Sequence, residues 1–266
     1  MDNRPIGFFD SGLGGLTSIP VLKRELPHET VIYYGDTART PYGSKSPETI
    51  REFALQIVDY LVGKDVKMIV IACNTVTAMA LDLLRERYPE IPILGVIEPT
   101  ARRVVQDGVR SVGILGTKVT IASGVYTQMI HQYDPSVRTC CLACPAIVPL
   151  VEEGIIENEI MDLTLRHYMD DFVRENDFRD LILGCTHYPL VADNIQRIYP
   201  ELNLYNSSAE VIREAADILR SRDQLAGPGE RTDRFYASDL SENFIRMTER
   251  LLIGENANIR LKKMEN

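Results

Sequence analysis

Basic residues are in the minority in this chain, in which 29 lysines and arginines stand against 38 aspartates and glutamates, giving a net charge of −9. A broad positive surface for nucleic acid or anionic lipid is therefore not expected. The sequence also lacks an apolar run long enough to cross a membrane, and its N-terminus lacks the apolar core of a secretory signal. These absences predict a cytoplasmic protein that binds neither nucleic acid nor a membrane.

Cysteine is scarce, with five residues at irregular spacing, which does not fit a disulfide framework. Cys141 and Cys144 form a C-x-x-C pair, but neither a second such pair nor a histidine pair accompanies it. Zinc or redox chemistry is therefore not predicted at that pair. Each cysteine of the chain must be explained as a core residue, a ligand or a catalytic group.

Short runs rich in β-branched and aromatic residues alternate with helical patterns along the whole chain, which predicts the α/β class with mostly parallel sheets. The predicted strands are residues 6–9, 31–34, 68–72, 93–95, 111–115, 138–142, 181–183, 202–205 and 234–237. Helices are predicted at 47–63, 158–176 and 208–222, the last opened by a serine cap. Residues 223–232 are predicted to form a linker, and those after Gly254 to fray.

Two segments of the chain repeat one pattern. Residues 68–94 and 181–204 both run from an apolar strand through a cysteine and a helix to Tyr-Pro-Glu and a second apolar strand. A weaker repeat relates IGFFDSG at 6–12 to VGILGTK at 112–118. Because both repeats occur in the same order, they predict two similar α/β halves.

Polar clusters follow four of the predicted strands. These clusters are Asp10-Ser11 after the first strand, Cys73-Asn74-Thr75 after the third, Thr117 after the fifth and Cys185-Thr186-His187 after the seventh. Ligands of parallel α/β sheets bind at the carboxyl ends of the strands, where loops meet the following helices. One cleft lined by all four clusters is therefore predicted.

Cys73 and Cys185 occupy equivalent positions of the two halves, each at a strand-to-helix transition. If the halves face each other about an approximate two-fold axis, the two sulfurs oppose each other across the cleft, as proton exchange by two bases requires. A helix N-terminus and nearby amides favour a thiolate at such a position. The alternative interpretation is that both are buried core thiols.

Asp10 and His187 are placed to assist the two thiols, because each could shuttle or polarise a proton on its own side of the cleft. The alternatives are a helix cap for Asp10 and an ordinary loop role for His187. Pro41-Tyr42-Gly43, within the polar segment 36–48, either closes over a ligand or belongs to a plain surface loop.

The glycine-rich segment after the first strand resembles a dinucleotide fingerprint only in part. Glycines stand at 12, 14 and 15, but position 17, where the fingerprint requires a third spaced glycine, is threonine. A glycine turn that presents Ser11 and free amides to a small carboxylate is the favoured interpretation.

Five segments of the chain together resemble the glutamate racemases, the bacterial enzymes that make D-glutamate for peptidoglycan. They are FDSGLGGLT at 9–17, YGDTARTPYG at 34–43, ACNT at 72–75, GILGT at 113–117 and LGCTHYPL at 183–190. The resemblance runs from near the N-terminus to about residue 245, and Val76 is its one departure, where a small residue is more usual. It implies two pseudo-symmetric α/β domains, residues 1–97 with 207–266 and residues 98–206, with the active site in the cleft between them.

The resemblance further implies a homodimer that racemises glutamate without a cofactor or a metal. Cys73 and Cys185 become the proton donor and acceptor, and Asp10 and His187 become their assistants. The implied substrate contacts are Asp10, Ser11, Tyr42, Gly43, Asn74, Thr75, Thr117, Thr186 and His187, with Glu152 of the segment 145–153 placed near the cleft. Three other functions stay open: an aspartate-type racemase, a thiol- or zinc-binding regulatory protein that uses Cys73, Cys185 and His187, and a binding role on another protein.

Overall fold

Two parallel sheets flanked by helices organise the chain in a computed structural model that describes residues 1–229, 232–252 and 259–264. The strands are β1 (Ile6–Asp10), β2 (Val31–Gly35), β3 (Met68–Ile71), β4 (Ile93–Gly95), β5 (Ser111–Gly116), β6 (Arg138–Ala143), β7 (Asp180–Gly184), β8 (Asn203–Asn206), β9 (Arg234–Ala237) and β10 (Ile259–Leu261). The helices are α1 (Ile19–Glu25), α2 (Pro47–Val62), α3 (Asn74–Arg87), α4 (Ile97–Gln106), α5 (Lys118–Ser123), α6 (Val125–Tyr133), α7 (Ile147–Glu152), α8 (Glu159–Glu175), α9 (Ala192–Ile198), α10 (Ser207–Ser221) and α11 (Glu242–Leu251).

The strand order confirms the duplication that the sequence predicted. The first sheet has the order β10-β9-β2-β1-β3-β4 and the second the order β6-β5-β7-β8, with parallel pairing throughout. The run β2-β1-β3-β4 thus matches β6-β5-β7-β8 strand for strand, so that β1 corresponds to β5 and β3 to β7. Parallel neighbours need long crossovers, which the helices between the strands supply.

Apart from Asp10 at the end of β1, the central strands of the first sheet carry no charged residue, because both of their faces are covered. All residues of β1, β2 and β3 are buried. Successive side chains point to opposite faces, so that Phe8 and Phe9 belong to different apolar clusters. On the Phe9 side, α2 contributes Ile50, Ile57 and Leu61 to the buried cluster.

All nine predicted strands are present, with bounds within one residue of the prediction, and so are the three predicted helices. The predicted serine cap of α10 is wrong, because Asn206 occupies that position and its Oδ1 accepts the amide of Ser208 at 3.0 Å. The described part of the predicted linker contains neither a helix nor a strand, and its residues 230–231 lie outside the described ranges. No helix of the described residues is both long enough and apolar enough to span a membrane.

The prediction that the chain simply frays after Gly254 is also wrong. β10 pairs in parallel with β9, and beyond it the Lys262 amide donates to the carbonyl oxygen of Ala237 at 2.8 Å. An added edge strand gains these backbone hydrogen bonds whatever the polarity of its side chains, which is why the polar composition misled the prediction. For residues 254–258 and 265–266 the prediction lies outside the described residues.

A buried ion pair lies at the amino ends of β2 and β3. Lys67 Nζ is 2.7 Å from Glu29 Oε2, and both side chains are at most 2% exposed. Nζ also donates to the carbonyl oxygens of Asp2 and Gln224, and Glu29 Oε1 accepts the amide of Ala226. The pair therefore fixes both the N-terminal segment and the segment after α10 to the first sheet.

We expect Lys67→Met to lower the free energy of unfolding by ~3–5 kcal/mol, because it leaves the buried Glu29 carboxylate without its cation. Urea unfolding followed by circular dichroism measures this loss. Arg174→Met, which removes a solvent-exposed ion pair with Asp171, is the control and should change the midpoint little. Equal small effects of the two substitutions would show that the buried pair does not stabilise the fold.

Candidate active site

A small pocket lies where the carboxyl ends of the two sheets meet. Among its lining residues are ten that the sequence predicted, namely Ser11, Tyr42, Gly43, Cys73, Asn74, Thr75, Thr117, Cys185, Thr186 and His187. Asp10, the remaining predicted contact, does not line the pocket but is fully buried at the end of β1. The four strand-end clusters thus come together in one site that both halves of the chain build.

Cys73 is held at the start of α3, in the N-cap position, and is 4% exposed. Its Sγ donates to Ser11 Oγ at 3.4 Å. Burial, followed by the charge of Asp10, raises the pKa of Cys73 to about 12, although the Ser11 hydroxyl and the Val76 amide act in the opposite direction. Cys73 therefore carries its proton at neutral pH, and the prediction that the helix N-terminus favours a thiolate is wrong for Cys73, because burial outweighs the nearby amide.

Asp10 is held by both halves of the chain. Its Oδ2 accepts the amides of Gly12 at 3.1 Å and Gly15 at 3.0 Å, and its Oδ1 accepts the Thr186 hydroxyl at 3.3 Å. Burial raises the pKa of Asp10, while the charge of His187 and these hydrogen bonds work in the opposite direction. The carboxyl group thus links the turn after β1 to the loop that carries Cys185.

Cys185 lies directly after β7 and is 6% exposed. Its Sγ is 3.8 Å from His187 Nδ1, and His187 Nε2 is 2.6 Å from Oε1 of Glu152, the last residue of α7. Burial alone would lower the pKa of His187, but its contacts with Cys185 and Glu152 outweigh burial and raise it. A carboxylate, an imidazole and a thiol therefore follow one another in a chain of contacts that ends in the pocket.

Hydroxyl groups from both halves meet on another side of the pocket. Thr75 Oγ1 lies 3.0 Å from Thr117 Oγ1 and 3.3 Å from Thr120 Oγ1, and the two latter atoms are 3.0 Å apart. The Asn74 side chain accepts the Tyr126 hydroxyl at 2.6 Å. The sequence prediction missed Thr120, because only the approach of α5 to α3 brings its hydroxyl to the site.

Other residues that the sequence prediction missed are Thr40 and Val148, which line the pocket, and Asp36, which lies behind it. Asp36 accepts the hydroxyl of Tyr42, and Arg39 Nε donates to the same carboxylate at 2.6 Å. Burial and the charge of Asp36 raise the pKa of Tyr42. Asp36 directly follows β2, just as Asp10 ends β1, and this equivalence was the available signal.

Neither cysteine of the C-x-x-C pair lines the pocket. Cys141 is on β6, an edge strand of the second sheet, and Cys144 follows that strand. All five cysteines of the chain are free, and burial raises the pKa of Cys144 to about 12. In the described residues, no group of three or more His, Cys, Asp or Glu side chains is arranged to hold a metal ion.

Two buried thiols thus lie at equivalent ends of duplicated parallel sheets and line one pocket, and an ionisable side chain lies near each of them. A model of the Asp/Glu/Hydantoin racemase family matches residues 20–224, and the chain belongs to this family.

Several relatives of the chain are glutamate racemases. That of Geobacter metallireducens is 44% identical over 95% of this chain and 94% of its own length, and that of Streptococcus pneumoniae is 43% identical over 96% and 97%. The crystal structure of glutamate racemase from Francisella tularensis in complex with D-glutamate has a TM-score of 0.93 at 36% identity, over 100% of this chain and 99% of that one. The resemblance found in the sequence is thereby confirmed.

Proposed function

We propose that this chain interconverts L- and D-glutamate without a cofactor, and that Cys73 and Cys185 are the two acid/base groups. The observation that carries the proposal is the presence of both thiols in one pocket, one from each half of a duplicated fold. The Francisella relative with D-glutamate in its structure supports glutamate as the substrate. Supplying D-glutamate for peptidoglycan is the cellular role that the family implies.

The proton balance of the reaction is simple. The Cα–H bond of L-glutamate breaks as its proton passes to the sulfur of Cys185, and the thiol of Cys73 delivers its proton to the opposite face of Cα. Cys185 is then a thiol and Cys73 a thiolate, which is the form that acts on D-glutamate. The raised pKa of Cys73 keeps this residue in the thiol form, which is the form that the reaction of L-glutamate requires. A protonated His187 beside Cys185 stabilises negative charge on that side of the pocket.

The remaining lining residues hold the substrate while Cα carries carbanion character. Hydroxyl groups of Ser11, Thr75, Thr117 and Thr186, together with Asn74 and the segment Tyr42-Gly43, provide hydrogen-bonding groups around the pocket. Such groups, fixed before the reaction, stabilise the charge that develops on a carboxylate. Asp10 and His187 assist Cys73 and Cys185 respectively, and Glu152 orients His187.

The same proposal includes the organisation of the protein. One domain comprises residues 1–97 and 207–266, the other residues 98–206; the division of β1–β4, β9 and β10 from β5–β8 into separate sheets supports it. The protein acts as a homodimer in the cytoplasm, as the family resemblance implies.

When L-glutamate is incubated with chelator-treated protein in heavy water, we expect D-glutamate that carries solvent deuterium at Cα. Unreacted L-glutamate should stay largely unlabelled early in the reaction, because its proton leaves to one sulfur while a different sulfur delivers the deuteron. Chiral chromatography with mass spectrometry measures both enantiomers. A single-base mechanism would label substrate and product alike.

The same assay separates the alternatives. Racemisation should persist in hydroxylamine, which inactivates carbonyl cofactors; loss of activity in chelator or hydroxylamine would contradict the cofactor-free reaction. Faster turnover of aspartate than of glutamate would favour an aspartate-type racemase. Bound zinc without racemisation would favour the regulatory function of Cys73, Cys185 and His187.

A further inference from the structure

The turn after β1 passes between the two sets of proton-transfer groups. It includes a short 3-10 helix, Gly14–Ser18, whose first two residues, Gly14 and Gly15, are both buried. Neither glycine has the positive φ that side chains avoid, so alanine could adopt the backbone conformation at both positions. Glycine is therefore required at these two positions because of the atoms packed against them and not because of the backbone conformation of the turn.

Gly14 lies against the loop of the second sheet. A Cβ at this position would be 2.7 Å from His187 Nδ1 and 2.9 Å from the carbonyl carbon of Thr186, and it would also collide with the Thr186 hydroxyl. The carbonyl carbon cannot rotate away, so the loop backbone would have to move. His187 Nδ1 is the atom that contacts Cys185 Sγ, so any side chain at position 14 displaces this pair.

Gly15, the next residue, lies against the first half of the chain. A Cβ there would be 2.6 Å from Asp10 Cβ, 3.0 Å from Tyr33 Oη and 3.1 Å from the Cβ of Ala72, which precedes Cys73. The amide of Gly15 also donates to Asp10 Oδ2 at 3.0 Å. A side chain at position 15 would therefore move Asp10, while none of the three atoms nearest to that Cβ belongs to the loop of Cys185.

We infer that Gly14 and Gly15 are positioning residues that divide the two proton-transfer groups between them: Gly14 sets the distance of His187 from Cys185, and Gly15 sets the place of Asp10 beside Cys73. This inference rests on the proposed two-thiol reaction. According to this inference, the turn after β1 aligns acid/base groups from both halves of the chain.

Turnover alone cannot separate the two roles. Because L- and D-glutamate have equal free energies, kcat/KM must be the same in both directions, and damage to either side lowers both equally. The alkylation rate of each thiol does separate them, because only the thiolate reacts and its fraction depends on the groups beside that sulfur.

The test compares Gly14→Ala, Gly15→Ala and the unaltered protein, with iodoacetamide as the probe and mass spectrometry to follow Cys73 and Cys185 across pH. Gly14→Ala should slow the alkylation of Cys185 at neutral pH about tenfold, which is the effect of losing one hydrogen bond to a charged group. The alkylation rate of Cys73 should change less than about twofold in this variant. Gly15→Ala should alter the pH profile of Cys73 and spare that of Cys185. Gly63→Ala, whose added Cβ meets its nearest neighbours at an ordinary 3.5 Å, should alter neither.

Changes at both thiols in each variant, or at neither, would overturn the inference. If circular dichroism shows that one variant is unfolded, the other variant still tests the inference, because it must alter the alkylation of its assigned thiol and spare the other thiol. Unfolding of both variants would also overturn it, since the strain is assigned to the site loops and not to the fold. Racemisation by the unaltered protein is measured in the same preparation, so failure of the proposed function is recognised separately.

Discussion

Replacing either Cys73 or Cys185 by serine should lower racemisation of glutamate about 10²–10⁴-fold in both directions, the range that one positioned acid/base group supplies. A serine hydroxyl is a far weaker acid than a thiol, and each direction needs one sulfur as base and the other as acid. Circular dichroism of the glutamate solution follows the loss of optical activity. Cys140→Ser, which alters a cysteine on β6 outside the pocket, is the control and should keep the rate.

The two serine variants should also differ from each other in heavy water. Cys73→Ser retains Cys185, which removes the proton of L-glutamate but finds no acid on the opposite face, so deuterium should enter L-glutamate without inversion. Cys185→Ser should label D-glutamate in the same way. Near-normal rates in either variant, or the same labelling pattern in both, would show that the two-thiol assignment is wrong.

Much of the fold was predictable because the central strands are buried on both faces and are therefore continuously apolar, as in β1 and β3. The duplication was visible because each half repeats a strand, a cysteine and a helix in the same order. β10 was not predictable: its partner β9 is set by the path of the chain, and a strand of three residues, two of them exposed, carries no strand signal. The cap of α10 was misplaced because asparagine and serine are equally good caps.

The site was predictable where a residue sits at the end of a strand, because parallel strands end at the same edge of the sheet. Cys73, Cys185 and Asp10 were found on that ground. Glu152 could be placed only near the cleft, because its contact with His187 depends on how α7 packs. Thr120 is a helical residue whose hydroxyl contacts Thr75 of the other half, and no local pattern reveals that contact.

The activity of the enzyme should decline as the pH rises into the alkaline range, and Glu152→Gln should make this decline begin at a lower pH. The pKa of His187 is raised by its contacts with Cys185 and Glu152, against the effect of burial. A group with a raised pKa keeps its proton below that pKa and loses it as the pH rises through it, so the imidazolium is the form present at neutral pH. Without the carboxylate of Glu152, the effect of burial is opposed less, so the pKa of His187 falls and the proton is lost at a lower pH.

The expected result is therefore a variant that is least impaired at the acidic end of its pH range and about 10²-fold slower at alkaline pH, where His187 no longer supports Cys185. The measurement is kcat/KM for L-glutamate across neutral and alkaline pH. Glu153→Gln is the matched control, since Glu153 is the exposed neighbour of Glu152 and has no contact with His187 among the described hydrogen bonds, and its profile should not move. If Glu152→Gln lowered the rate by one factor at every pH, Glu152 would only hold the loop in place and the imidazolium would have no part in proton transfer at Cys185.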